Sequence, residues 1–68
     1  MQNILGDNIF ELRFKGIEGQ IRVLYFFFHK NSIIFTNGFI KKTKKTPRKE
    51  KQIAINRRKE FLERMKER

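Results

Sequence analysis

Phe10, Leu12 and Phe14 alternate with Glu11, Arg13 and Lys15, the period of two that a half-buried strand requires, so the spacing predicts a strand over about 8–15. A β-branched and aromatic run predicts a second strand over about 20–28, and I-I-F-T-N-G-F-I predicts a third over about 33–40. Gly16-Ile-Glu-Gly19 and His29-Lys-Asn-Ser32 supply the turns between them. Met1 to Asp7 shows no periodicity and ends in a Gly-Asp turn signal. Beyond the strands the period changes. Ala54, Phe61 and Met65 fall on one face of a helix, flanked by Ile53, Ile55 and Leu62, and a helix is expected over about 47–67. Thr46 is placed to cap it, Pro47 suits its first position, and Glu50 sits in the first turn where the helix dipole favours an anion. Arg58 interrupts the apolar face and is expected to lay its stem over the sheet. The fold class is α+β: a three-stranded antiparallel meander followed by a C-terminal amphipathic helix.

Turn positions fix a register, and the register separates two faces. A loop at Gly16–Gly19 sets Arg13 opposite Arg22, Leu12 opposite Val23 and Phe10 opposite Tyr25. A second turn at Lys30-Asn31 sets Arg22 opposite Phe39, Val23 opposite Gly38 and Phe27 opposite Ile34. One face then carries Phe10, Leu12, Phe14, Ile21, Val23, Tyr25, Phe27, Ile34 and Ile40. The other carries Glu11, Arg13, Lys15, Arg22, Phe39 and Lys41 at one end, with Ile9, Phe26, Phe28, Ile33 and Phe35 at the other. One helix can cover only one of these faces. The other is expected to be left apolar and prone to self-association.

Composition narrows the function. Sixty-eight residues allow one domain, and the absence of cysteine with a single histidine, His29, argues against a disulfide framework or a metal cluster. The apolar run from Val23 to Phe28 is too short to span a membrane and no secretory pattern stands at Met1, so a cytoplasmic protein is expected. The formal net charge is +10, and Arg13, Lys15, Arg22 and Lys30 account for only four of the 17 basic residues; the other thirteen lie from Lys41 onward. That asymmetry points to a polyanionic partner, nucleic acid foremost. The stretch from Ile33 to Pro47 delivers Lys41, Lys42, Lys44 and Lys45 from the end of a strand to the mouth of a helix. Two arginines directly opposite each other repel and need compensation. Glu11 can supply it as a diagonal ion pair, or a bound phosphate can, with Phe39 beside Arg22 as a surface for base stacking.

Several stretches in order — E-L-R at Glu11–Arg13, I-R-V-L-Y at Ile21–Tyr25, N-G-F-I-K-K-T-K-K-T-P at Asn37–Pro47, then a basic amphipathic helix — resemble the phage-derived branch of the RelE/HigB toxin superfamily over about residues 5–68. The resemblance implies the toxin of a type II toxin–antitoxin module: an mRNA endonuclease that generally cuts within the ribosome and is held inactive by a cognate antitoxin. Members of that family normally begin with a strand and two helices covering one sheet face. These are lacking here, which agrees with the uncovered apolar face and implies a partial, truncated toxin domain.

Cleavage of RNA by its own 2′-hydroxyl needs no cofactor, only a base, cations around the phosphate and an acid. The resemblance assigns phosphate stabilisation to Arg22, matches Arg13 to the arginine of E-L-R, and sets Lys41 and Lys42 among the basic residues after the third strand. Glu11 or a lysine is left as the base. Lys15, Lys44, Lys45 and Arg48, with Phe39, are expected to hold the RNA. His29 lies at the far end of the sheet as a turn residue, and Tyr25 points to the apolar face. Two rival functions stand beside it: a non-enzymatic RNA- or DNA-binding module using the same basic face and Phe39, and a structural fragment without catalysis whose apolar face docks on a partner such as an antitoxin or the missing segment.

Overall fold

The computed structural model describes residues 2–41 and 46–66, with side chains from Ile4 to Ile40 and from Thr46 to Lys66. Four strands form one antiparallel sheet in sequence order: β1 (Gln2–Gly6), β2 (Ile9–Lys15), β3 (Gln20–Phe28) and β4 (Ser32–Lys41). A single helix, α1 (Arg48–Lys66), follows. The architecture is the expected α+β one, with one strand more than the periodicity indicates.

β1 shows no apolar–polar alternation because its adjacent apolar residues both meet apolar surroundings: Ile4 sits beside Phe10 on one face of the sheet, and Leu5 packs against the core on the other. Its register against β2 slips between Ile4 and Gly6, leaving Leu5 as the extra residue. The β1–β2 turn is two residues long, Asp7 at φ 53 and Asn8 at φ 62. Positive φ at both central positions is the type I′ geometry, whose twist matches that of the flanking strands. Asn and Asp tolerate this region better than other residues with a Cβ. Gly6, just before the turn, is at φ 91.

The β2–β3 register is the expected one, with Arg13 opposite Arg22, Leu12 opposite Val23 and Phe10 opposite Tyr25. Between β3 and β4 the expectation holds at one end only. Arg22 pairs with Phe39 and Val23 with Gly38, but Phe27 pairs with Ile33 rather than Ile34. The turn spans His29, Lys30 and Asn31, with His29 at φ 59, one residue longer than Lys30-Asn31 alone. A bulge at Thr36 then absorbs the extra residue. The longer turn and the bulge cancel beyond Asn37. Between them the faces of β4 exchange, so Ile34 joins the core beneath the helix while Ile33 and Phe35 lie on the opposite side.

The helix covers the mixed face. Ile9, Leu24, Phe26 and Ala54 form the buried core, with Leu5, Phe28, Ile34, Phe39, Ile55 and Phe61 packed around it. Ala54 is fully buried and lets the helix approach the sheet closely, while the Phe61 ring meets Phe26 at 5.6 Å and Phe28 at 4.8 Å edge-on. Arg58 lies over the Phe26 ring at 5.8 Å, a cation–π contact that accounts for an arginine within the apolar face. Asn37 Nδ2 donates to the backbone oxygen and the carboxylate of Glu50 at 3.2 and 3.0 Å, and Lys51 reaches Asp7 at 3.5 Å. The first turn of the helix is thus tied to β4 and to the β1–β2 turn. Pro47 supplies the first carbonyl acceptor of the helix, to Glu50 N and Lys51 N. The expected Thr46 side-chain cap is replaced by a different bond, described below.

The other face of the sheet has no covering element among the described residues. On it Phe10 stacks with Tyr25 at 5.6 Å, and Phe27 and Phe35 meet the Tyr25 ring at 5.7 and 6.0 Å. Tyr25 is enclosed by these rings, and burial pushes its phenol above the ordinary value of 10.0.

Two predictions follow from these local geometries. Asn8→Ala should lower stability by about 1–2 kcal/mol through the strain of an unsupported positive φ, whereas Asn8→Gly should preserve or raise it; denaturant unfolding at fixed protein concentration measures both. Spectrophotometric titration at 295 nm should place the Tyr25 transition above 10.0. Because the unfolded chain ionises first, stability should fall as pH rises from the unfolded value toward the raised folded one.

Candidate nucleic-acid site

The site lies where β2, β3 and the start of α1 meet. Strand parity puts Glu11, Arg13 and Arg22 on the helix-covered face, and Arg13 and Arg22 are direct cross-strand partners. Glu11 sits on the diagonal and resolves their repulsion. Its Oε1 accepts from Arg13 Nε at 3.3 Å and from Arg22 Nη1 at 3.4 Å. Arg22 Nη2 also donates to Gln20 Oε1, two residues back on the same strand. The second carboxylate oxygen of Glu11 accepts from the Thr46 hydroxyl, so the residue expected to cap the helix instead binds the chain just before it to the sheet.

Burial separates the members of this cluster. Glu11 is 1% exposed and Arg22 3%, whereas the Arg13 side chain is 35% exposed. Taking a carboxylate and a guanidinium out of water costs several kcal/mol each, offset only when the pair is close and hydrogen-bonded. One carboxylate faces two guanidiniums here, so the described cluster keeps a formal charge of +1. Arg22 Nε is buried and has no hydrogen-bond partner, one donor left over in the same pocket of charge.

The remaining predicted residues distribute as follows. Lys15 is exposed at the end of β2, and Arg48 is exposed at the start of α1. Phe39 lies beside Arg22, half-buried, with its ring packed against the core rather than standing free as a platform. The backbone of Lys41 pairs with Gln20, but its side chain, and the whole of Lys42, Lys44 and Lys45, lie outside the described residues. Segment 42–45 joins two positions that both border the cluster: Lys41 through Gln20, and Thr46 through Glu11. His29 is exposed in the β3–β4 turn against Phe28 at 4.1 Å, at the opposite end of β3 from Arg22. Gln20 and Thr46 were not among the residues singled out by charge or aromaticity. Gln20 could have been found from its parity with Arg22, whereas nothing local to Thr46 distinguishes a capping hydroxyl from one that reaches a distant strand.

A family model described as Phage derived protein Gp49-like (DUF891) matches residues 1–59. The chain belongs to this phage-derived family. It is a toxin-type family related to RelE/HigB. No curated protein and no solved structure is significantly similar to the chain. The match spans all four strands and the first part of the helix, so the whole Glu11–Arg13–Arg22 cluster lies within the Gp49-like region.

Removing one member of the buried pair should be worse than removing both. Glu11→Ala leaves two facing guanidiniums without their carboxylate and should destabilise the Gp49-like fold by about 3–5 kcal/mol. The double replacement Glu11→Leu with Arg22→Met should cost less than Glu11→Leu alone, a coupling that a denaturant double-mutant cycle over Glu11→Leu, Arg22→Met and the pair reads directly.

Proposed function

We propose that this chain is the toxin of a type II toxin–antitoxin pair and acts as an endoribonuclease on mRNA, with the ribosome as the place of cleavage. The observation that carries the reading is the charge cluster itself. Two cross-strand arginines share one buried carboxylate toward the end of the sheet that carries Lys15 and the ends of the lysine segment. Family membership supports a toxin-like module; nuclease activity and an antitoxin partner are the further steps taken here.

Each residue takes a role from its accessibility. Arg13, the more exposed guanidinium, meets the scissile phosphate. Arg22 and Glu11 are enclosed, and they hold Arg13 in position. Lys15, Lys44, Lys45 and Arg48 neutralise backbone phosphates on either side. In the reaction the 2′-oxygen bonds to the adjacent phosphorus as the bond to the 5′-oxygen breaks. The 2′-hydroxyl proton passes to a neutral lysine of segment 41–45, and the leaving 5′-oxygen takes a proton from water. The products are a 2′,3′-cyclic phosphate and a 5′-hydroxyl. Negative charge grows on phosphorus during attack, and a preorganised guanidinium is most effective there.

A second reading has its own observation. Glu11 and Arg22 are as buried as core residues, which suits a structural pair in a module that binds RNA without cutting it. Expression in cells and incubation with mRNA, with and without ribosomes, separate the two. Under the nuclease reading, wild-type protein yields cut mRNA with 5′-hydroxyl ends. Arg13→Ala should then reduce cleavage ~10²–10³-fold with RNA affinity little changed. The double change of Lys44 and Lys45 to Ala should weaken binding and lower the salt slope by about 0.7 for each phosphate no longer neutralised. If wild-type protein binds RNA with that salt dependence but cuts none under either condition, the nuclease reading fails and the binding module stands.

A further inference from the structure

We infer that the uncovered sheet face is an interface between two copies of this chain, packed sheet against sheet with the helices outermost. Seven large apolar side chains are exposed on this face, from Ile4 at 74% on β1 to Phe35 at 61% and Ile40 at 51% on β4. At ~200 Å² for a fully exposed large side chain, they present about 740 Å² of apolar surface. A stable complex buries about 800 Å² from each partner, so this face alone is close to what a dimer needs. Contiguous exposed apolar patches of this size mark association surfaces.

Charge favours a second copy over an acidic partner. Among the described side chains, none on this face is charged, while Glu11, Arg13, Lys15 and Arg22 lie on the opposite side. A twofold dimer through this face therefore brings no cation toward another. Sheets stack about 10 Å apart, so the charged groups of the two copies face outward through two layers of backbone. The exposed charges lie on the solvent side of each copy, where salt screens over about 8 Å at physiological ionic strength, so the self-repulsion of two +10 chains weakens as salt is added. An acidic partner, drawn by the chain's net charge, would find its counter-charges on the helix side, not here.

The details of the face suit a packed interface. Phe10, Tyr25, Phe27 and Phe35 form one aromatic cluster in its middle, the kind of anchor on which binding energy concentrates. Gly38 leaves a notch beside Val23. A Cβ there would meet only Arg22 O at 3.5 Å and Val23 Cγ2 at 3.8 Å, so the single chain has no steric need for glycine. The notch leaves room for a side chain of the facing copy. The inference is independent of any nuclease activity, since no residue of the charge cluster takes part.

Sedimentation of the full chain from about 1 to 100 µM tests it. A species of about twice the 8.3 kDa chain mass is expected, strengthened by added salt. Phe35→Lys should raise the dimer dissociation constant ~10²-fold, because a desolvated ammonium replaces a central ring in each copy; Lys49→Ala, on the exposed helix surface, should leave it unchanged. Should Phe35→Lys fail to fold, wild-type protein still decides the matter. Mixing isotope-labelled with unlabelled chains should give intermolecular contacts between Phe27, Phe35 and Ile40 protons. A monomer at 100 µM overturns the inference, as does a dimer whose intermolecular contacts fall on the helix. Open-ended aggregates growing through the β1 or β4 edges overturn it too.

Discussion

The carboxylate of Glu11 is the point at which three separate parts of the chain are held together, because it accepts from Arg13 on its own strand, from Arg22 on the next, and from Thr46 at the approach to the helix. Without it, β2 and β3 would bring two like charges into register under a helix that excludes water. With it, the same register becomes a reason for the helix to begin where it does. Ala54, Phe26 and Phe61 supply the apolar contact, but apolar packing has no direction of its own. The hydrogen-bonded carboxylate gives it one, and the Asn37–Glu50 pair repeats the device on the β4 side. A small core is thereby given a definite docking angle by two polar clamps.

Much of this was legible in the residue order. Alternation in β2, with its Gly-flanked loop, sufficed for the Arg13–Arg22 pairing, since every residue from Phe10 to Lys15 pairs as parity demands. The helix limits, 48–66 against about 47–67, followed from the Pro47 signal and the apolar spacing. β1 was not legible. Its two adjacent apolar residues, Ile4 and Leu5, point to opposite faces and meet apolar surroundings on both, and the bulge at Leu5 then puts Gly6 on the same side as Leu5, so no apolar–polar alternation is left to read. On β4 the reading held at Phe39 and Gly38 although the turn was one residue longer than expected, because Thr36 absorbs the difference; it failed at Ile33, Ile34 and Phe35, which lie between the two irregularities.

The site divides along a similar line. Residue type and parity brought Glu11, Arg13, Arg22 and Phe39 together, and the structure keeps them together. What parity cannot give is depth. Whether a cation on a given face is wet depends on how the rest of the chain folds over it, and here Arg22 is enclosed while Arg13 is left part-exposed. The role of Phe39 changes for the same reason, from a free aromatic surface to part of the packing under the helix.

The bulge at Thr36 makes the length of the β3–β4 hairpin and the geometry of the charge cluster independent quantities. Its hydroxyl donates to Leu24 O at 3.0 Å, and its carbonyl accepts from Arg57 on the helix, so the irregular residue is satisfied from both sides rather than merely tolerated. An insertion or deletion in the turn at 29–31 can be taken up at this one position before it reaches Asn37, Gly38 or Phe39. The length of the hairpin is thus uncoupled from the pairing at Arg22: the distal end of the sheet can change register while the charged end keeps its own.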